Sequence, residues 1–175
     1  MKTFGRVLTA MITSFNDDGS VNIENTVAIA EHLLNHGSDG LVVCGTTGEN
    51  PTMSRESKIA LFKAVAEFCG DKGTIIANVG SNDTKGSVDF VKEVSAIPGI
   101  DGLLVVVPYY NKPNQQGQYL HFKSIAEATT LPIMVYNVPG RVGTGIFPAT
   151  LARLHKEYPH ICAIKEASGN LMIAS

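Results

Sequence analysis

The sequence predicts an α/β fold of the TIM or (β/α)8 barrel type, of which the chain holds the first six βα units. Apolar runs typical of buried parallel strands recur at intervals of roughly 30 residues. Each run is followed by a segment with the apolar spacing of an amphipathic helix. No glycine-rich linker divides the series, so we expect a single domain over residues 1–175. An eight-stranded barrel needs two more strands, and we expect this domain to be incomplete.

The first half of the chain contains three predicted strands, each of which leads into a helix. Asn22 is a good helix cap, and the apolar positions after it keep helical spacing until Gly37. Ser54 caps the second helix, which ends at Gly70. The third helix carries three valines at helical spacing. The strands predicted before these helices are 6–13, 41–44 and 74–79.

The second half of the chain repeats this pattern. The fourth helix is predicted around 118–128, after a turn at 111–114. Pro148 suits the first turn of the fifth helix. Ser175 falls within what should be the sixth connecting helix. The strands predicted here are 102–107, 132–136 and the apolar run at the start of 161–169.

The positions of unusual polar residues decide between a barrel and an open, doubly wound sheet. An open sheet gathers its ligand residues mainly at one switch point, whereas a barrel brings all strand ends to one mouth. In this chain such residues follow the carboxyl ends of several different strands, which favours the barrel. They are Thr13, Thr46, Thr47, Tyr110, Tyr136, Arg141 and Lys165.

Composition excludes several classes of protein. The 14 basic and 16 acidic side chains are scattered, so we expect neither nucleic acid nor a membrane surface as a partner. Cys44, Cys69 and Cys162 are odd in number and far apart, which is typical of reduced thiols. None has a zinc-like partner, so we expect no metal. No apolar run approaches the roughly 20 residues of a membrane span, and we expect a cytoplasmic protein.

Lys165 follows an apolar run near the carboxyl end of the sixth predicted strand. In parallel α/β proteins this end of the sheet faces the ligand. An apolar environment favours a free amine over an ammonium group, and a free amine can attack a carbonyl to form an imine. The position therefore points to a Schiff-base lysine. The alternative is a lysine whose charged head reaches solvent from the rim of the sheet.

The segment GTTGE at 45–49 lies between a predicted strand and a predicted helix. Backbone amides and hydroxyls in such a turn can hold an anion at the helix end. The segment lacks the spacing and the lysine of a nucleotide-binding P-loop, so a carboxylate is the better guest. A tight turn that merely requires glycines explains the same residues.

Tyr136 and Arg141 have a chemical and a structural interpretation. Tyr136 ends the fifth strand, where a phenol can transfer a proton if the hydroxyl of Thr46 or Tyr110 lies within reach. A core tyrosine bonded to the backbone is the alternative. Arg141 lies in a Gly/Pro loop, where it could clamp a carboxylate or simply be solvated. The five histidines fall on predicted helices or their ends, and we assign them no chemistry.

Four ordered motifs resemble those of a known family. They are GTTGE at 45–49, PYYN at 108–111, YNVPGR at 136–141 and IKEASGN at 164–170. In this order and at these intervals, the chain closely resembles the dihydrodipicolinate synthase family of the pyruvate-dependent class I aldolases. The resemblance implies a homodimer or homotetramer. It also implies a catalytic domain that in this chain lacks strands seven and eight and a C-terminal helical region.

The resemblance further implies a reaction and its residues. Pyruvate would condense with L-aspartate 4-semialdehyde to 4-hydroxy-tetrahydrodipicolinate, a lyase step of lysine and diaminopimelate biosynthesis. Lys165 would form the imine with pyruvate, without any cofactor, since the imine nitrogen acts as the electron sink. Tyr136 would move protons, linked through Thr46 to Tyr110 of a neighbouring subunit. The substrate carboxylates would be bound by Thr47, Gly48 and Arg141.

Two alternatives remain open at this stage. The chain could be an inactive or regulatory fragment of such an enzyme that pairs with a full-length subunit. It could also be a related pyruvate aldolase such as N-acetylneuraminate lyase, which would keep Lys165 and Tyr136 but change the aldehyde. The double threonine at 46–47 and Arg141 favour the synthase, since the lyase typically has Ser-Thr and lacks this arginine.

The regulatory pocket that the resemblance implies is altered in this chain. Lysine-inhibited relatives carry a glutamate in place of Gly86 and histidines in place of Arg55 and Lys58. The added cations should repel the ammonium groups of L-lysine, and the anion that would attract them is missing. We therefore expect turnover to be insensitive to L-lysine. A titration in which submillimolar L-lysine inhibits turnover would contradict this expectation.

Overall fold

Six β-strands alternate with helices in residues 4–174, which the computed structural model describes. The predicted order of strands and helices is confirmed. In chain order the elements are β1 Leu8–Ala10, α1 Ile23–Asn35, β2 Gly40–Val43, a 3-10 helix Asn50–Thr52, α2 Arg55–Cys69, β3 Thr74–Asn78, α3 Thr84–Ser95, β4 Gly102–Val106, α4 Gln115–Ala126, β5 Ile133–Asn137, α5 Pro139–Val142, α6 Pro148–Glu157, β6 Ile161–Glu166 and α7 Leu171–Ala174.

The described residues form two compact units. The first unit contains residues 4–78 and 94–102, with the parallel strands β1, β2 and β3. Leu41 and Ile75 pair across this sheet and are fully buried, as are Leu61 and Phe62 of α2. Each such side chain contributes about 1.5–3 kcal/mol by leaving water. Apolar burial therefore stabilises the packing of α2 against the strands of this unit.

The second unit contains residues 79–93 and 103–174, with the parallel strands β4, β5 and β6. Val106 pairs with Tyr136, which in turn pairs with Lys165. The core of the unit includes Val105 and Val135 on neighbouring strands, both fully buried. The carboxyl ends of these strands thus place aromatic and basic side chains side by side.

Helix starts follow the capping residues. Asn22 and Ser54 each accept a hydrogen bond from the amide three residues later, as predicted. The predicted start of the fourth helix near 118 was three residues too late. Asn114 accepts from the amide of Gly117 and begins the helix directly after the turn. The Gly/Pro loop that carries Arg141 is in fact the one-turn helix α5.

The expectation that the sixth strand is buried was wrong beyond its first residue. Ile161 is buried, but Ile164 is 40% exposed and Lys165 is half-buried. Among the described residues, β6 has β5 as its one strand neighbour, so its other edge is uncovered. An apolar run specifies that a strand forms, while its burial depends on neighbours that the run itself does not encode.

Within residues 4–174, no helix combines the length and the apolar character that crossing a bilayer requires.

His121 is a buried histidine of α4 in the second unit. It is 3% exposed, and its Nδ1 lies 2.9 Å from the Thr84 hydroxyl. Its Nε2 is buried without a hydrogen-bond partner. Burial lowers the pKa of His121 to about 4, although the charge of Asp83 raises it slightly. The folded protein therefore holds this ring in its neutral form.

We expect His121 to make the fold sensitive to mild acid. In the unfolded chain, His121 takes up a proton as the pH falls below its ordinary pKa near 6.5. In the folded chain it takes up this proton only near pH 4. The free energy of unfolding therefore keeps its full value, as far as His121 is concerned, above pH 6.5. It decreases as the pH falls towards 4, by about 2–3 kcal/mol at pH 4.5. Urea unfolding at several pH values, with His121→Gln as the comparison, measures this loss. Parallel pH profiles for the two proteins would rule it out.

Candidate active site

Lys165 and Tyr136 meet at the carboxyl ends of two adjacent parallel strands. They are register partners on β6 and β5, so their side chains lie on the same face of the sheet. The Nζ atom of Lys165 lies 4.5 Å from the centre of the Tyr136 ring, within the range of a cation–π contact. Tyr136 is 6% exposed, whereas Lys165 is half-buried. An amine and a phenol thus share one partly enclosed position.

A β-bulge in β6 creates this pairing. Ile133 pairs with Ile161, but the next residue, Met134, pairs with Ala163. Cys162 is therefore an extra residue in β6, and every later residue of the strand is shifted by one. Without this shift Lys165 would lie opposite Asn137 and on the face away from Tyr136, because side chains alternate along a strand.

Two residues of this region were not identified from the sequence. Asn137 and Glu166 follow Tyr136 and Lys165 directly, and the amide of Asn137 donates to Glu166 at 2.7 Å. Partial burial raises the pKa of Glu166, but the hydrogen bonds from Asn137 and Ser168 outweigh it, so that the pKa is lowered overall. The available signal was that a strand carrying a site residue also carries an amide or a carboxylate one position later.

Arg141 and Tyr110 lie in exposed segments of the same unit. Arg141 is exposed near the end of α5, which is closed by Gly143 at a φ of 76°. Tyr110 is 88% exposed and has a φ of 65°, a left-handed conformation that is uncommon for a tyrosine. Both side chains are therefore exposed to solvent and not packed into the core.

The GTTGE segment of the first unit is a tight turn after β2. The amides of Gly48 and Glu49 donate to the carbonyls of Gly45 and Thr46 within the turn. These two amides are therefore engaged inside the turn, and the 3-10 helix separates the turn from α2. The prediction that the turn presents its amides at a helix end is wrong for this pair. The side chains of Thr46 and Thr47 are exposed.

A buried hydroxyl supports this turn from below. Thr13, which is 7% exposed, donates to the carbonyl of Gly48 at 2.8 Å. A side chain at Gly48 would approach the Thr13 hydroxyl to 3.1 Å and the Cα of Cys44 to 3.2 Å, so only glycine fits without movement. The side-chain amide of Asn78 donates to the backbone carbonyl of Cys44, a residue with a φ of 54°. The turn is thus fixed by contacts from β3 and from the segment that follows β1.

Cys44 is not a reactive thiol. It is 1% exposed, and burial raises its pKa to about 12, which keeps it protonated at neutral pH. All three cysteines are free, as the sequence predicted.

Parallel strands that end in a lysine and a tyrosine define a protein of the βα-barrel class with an amine at the carboxyl face of the sheet. The chain belongs to the dihydrodipicolinate synthetase family, whose profile matches residues 3–175. The resemblance inferred from the four motifs is therefore confirmed.

Curated relatives and solved structures agree with this assignment. The chain is 53% identical over 168 residues to a 4-hydroxy-tetrahydrodipicolinate synthase of Desulforamulus reducens, covering 96% of this chain and 56% of the relative. It is 51% identical over 176 residues to the Thermosynechococcus vestitus protein of the same name, covering 100% of this chain and 59% of that protein.

Two solved structures carry the fold assignment. A dihydrodipicolinate synthase of Bacillus anthracis has a TM-score of 0.95 at 42% identity, covering 99% of this chain and 59% of that one. The enzyme of Cyanidioschyzon merolae, solved with lysine bound, has a TM-score of 0.93 at 44% identity, covering 97% of this chain and 58% of that one. The predicted fold class, the first six βα units of a TIM-type barrel, is confirmed. The chain spans less than two thirds of the length of each of these relatives.

We expect Thr13→Val to loosen the GTTGE turn. The change keeps the shape of the side chain but leaves the buried Gly48 carbonyl without its donor, which should lower the free energy of unfolding by about 1–2 kcal/mol. Thr52→Val is the matched control, because Thr52 donates to the Glu49 carbonyl at an exposed position. The control should change stability by less than about 0.5 kcal/mol. Equal losses in urea unfolding would contradict the assigned support.

Proposed function

We propose that the chain is the lysine-bearing part of a 4-hydroxy-tetrahydrodipicolinate synthase, a lyase that joins pyruvate to L-aspartate 4-semialdehyde. The observation that carries the proposal is the contact between Lys165 and Tyr136 at the carboxyl ends of paired strands. An amine next to a phenol provides a nucleophile and a proton-transfer group in one place. The names of the relatives support the choice of substrates.

The proposed reaction begins with an imine. The amine of Lys165 adds to the C2 carbonyl of pyruvate, and water leaves as the carbon–nitrogen double bond forms. Loss of a proton from C3 gives an enamine, whose C3 attacks the aldehyde carbon of the second substrate. The resulting alkoxide takes up a proton. The amino group of that substrate then replaces Lys165 on C2, which closes the ring and releases the enzyme. The imine nitrogen serves as the electron sink, so the scheme uses no cofactor.

Other residues receive roles in this proposal. Tyr136 transfers protons through Thr46 to Tyr110, and the 88% exposure of Tyr110 suits a side chain that completes the site of another subunit. We accordingly propose a homodimer or a homotetramer. Thr47 binds the carboxylate of pyruvate, and the exposed Arg141 binds that of the second substrate. Gly48, whose amide donates to the carbonyl of Gly45, shapes the turn that presents Thr47. The cytoplasm, where small metabolites are built, is the compartment we propose.

Borohydride trapping tests the proposed nucleophile. We expect that incubation with pyruvate, followed by reduction, attaches the pyruvate carbons to Lys165, because reduction fixes the imine as a stable secondary amine. Peptide mass spectrometry locates the adduct, and Lys165→Arg should remove it. Lys156, an exposed lysine of α6, is the internal control and should stay unlabelled. Labelling of both lysines alike, or of neither in folded protein, would overturn the assignment.

A further inference from the structure

Asn137 connects two segments that the proposed function uses. The side chain is 1% exposed. Its Nδ2 donates to Glu166 Oε2 at 2.7 Å, and its Oδ1 accepts from the amide of Ile146 at 3.2 Å. One end of this buried amide thus holds the residue after Lys165 on β6. The other end holds the loop that follows α5, the helix of Arg141.

The end of β6 depends on these contacts. The amide of Ala167 donates to the backbone carbonyl of Asn137 at 2.8 Å, and the amide of Ser168 donates to Glu166 Oε1 at 2.7 Å. In the described part of the chain β6 has one strand neighbour, so no second ladder fixes its position. Besides the ladder to β5, the Asn137–Glu166 bond and these two bonds from backbone amides therefore hold the carboxyl end of β6 in place.

The loop after α5 rests directly on the Asn137 side chain. A side chain at Gly145 would come within 3.2 Å of Asn137 Oδ1, which shows how closely the backbone passes. On its far side, the carbonyl of Gly145 accepts from Gln115 Nε2 at 2.8 Å. The loop is thus held between α4 and the end of β5, and Asn137 provides the contact on the β5 side.

We propose that Asn137 is a positioning residue, which sets Lys165 through Glu166 and sets the Arg141 segment through Ile146. Asn137 and Glu166 lie on the sheet face opposite Lys165 and Tyr136, so they act through the backbone and do not touch substrate. A displacement of about 1 Å at a reacting group can slow a reaction on the order of 100-fold. The inference rests on the proposed function, in which Lys165 is the nucleophile.

The bond between Asn137 and Glu166 can be reversed, which provides the test. Asn137→Asp places two carboxylates at hydrogen-bond distance from each other. Glu166 now accepts hydrogen bonds from two amides, the side-chain amide of Asn137 and the backbone amide of Ser168, and Glu166→Gln leaves one of these amides without an acceptor. In the double variant the introduced amide can donate to the introduced carboxylate. That carboxylate still accepts from Ile146, and the remaining amide oxygen still accepts from Ser168. The double variant thus keeps all three hydrogen bonds, and only the bond between positions 137 and 166 has its donor and acceptor exchanged.

The readout is borohydride trapping at Lys165 over a range of pyruvate concentrations, expressed per folded protein. Asn137→Asp should lower the limiting trapping rate by about tenfold or more, and Glu166→Gln by a smaller factor, with the half-saturating pyruvate concentration little changed. The double variant should return to within about threefold of the original rate. Loss of stability alone would lower the folded fraction and leave the rate per folded protein unchanged.

Tyr119→Phe is the matched control. It removes a 2.6 Å hydrogen bond to the carboxylate of Glu157 in the same unit, between α4 and α6, and should leave the trapping rate unchanged. Single variants that trap pyruvate at the original rate, or a double variant no better than Asn137→Asp, would overturn the positioning role alone. Should Asn137→Asp not fold, an unchanged rate in the partly exposed Glu166→Gln variant has the same meaning. If the original chain is not labelled, the proposed function fails and the positioning role falls with it.

Discussion

The register of β6 against β5 is the constraint on which the candidate site depends. The extra residue Cys162 moves Lys165 one position along its partner strand, from Asn137 to Tyr136. Because side chains alternate between the two faces of a sheet, this single shift brings the amine onto the same face as the phenol. The bulge thus converts an ordinary strand end into a chemically useful pair, without any change in the residues that form it.

The same shift organises the opposite face of the sheet. Asn137 now lies opposite Glu166, and a short hydrogen bond joins them. An amide and a carboxylate in direct contact satisfy each other, which a buried asparagine with 1% exposure requires. One register therefore produces two polar pairs, Lys165–Tyr136 on one face of the sheet and Asn137–Glu166 on the other. A slip of β6 by a single residue would break both pairs together, which is why register is strongly specified here.

Local sequence predicted the elements better than their surroundings. Asn22 and Ser54 capped the helices as expected, because a cap depends on residues only three positions apart. The exposure of Ile164 was not foreseen, since an apolar run does not reveal how many strands flank it. The strand-end argument placed Lys165 and Tyr136 at the same end of the sheet. It did not predict their direct contact, since the bulge that produces it carries no recognisable residue pattern. Asn137 and Glu166 were missed because their roles arise only from pairing across β5 and β6.

Two segments at or next to exposed candidate side chains are each held by a buried polar residue. The GTTGE turn exposes Thr46 and Thr47 and is fixed by the hydroxyl of Thr13. The segment after Arg141 is fixed by Asn137, which accepts from the amide of Ile146. In both cases the supporting bond goes to the backbone of the segment and not to the exposed candidate side chains. Fixing the backbone in advance lowers the entropy that binding would otherwise lose, and a buried bond does this more firmly than a solvated one.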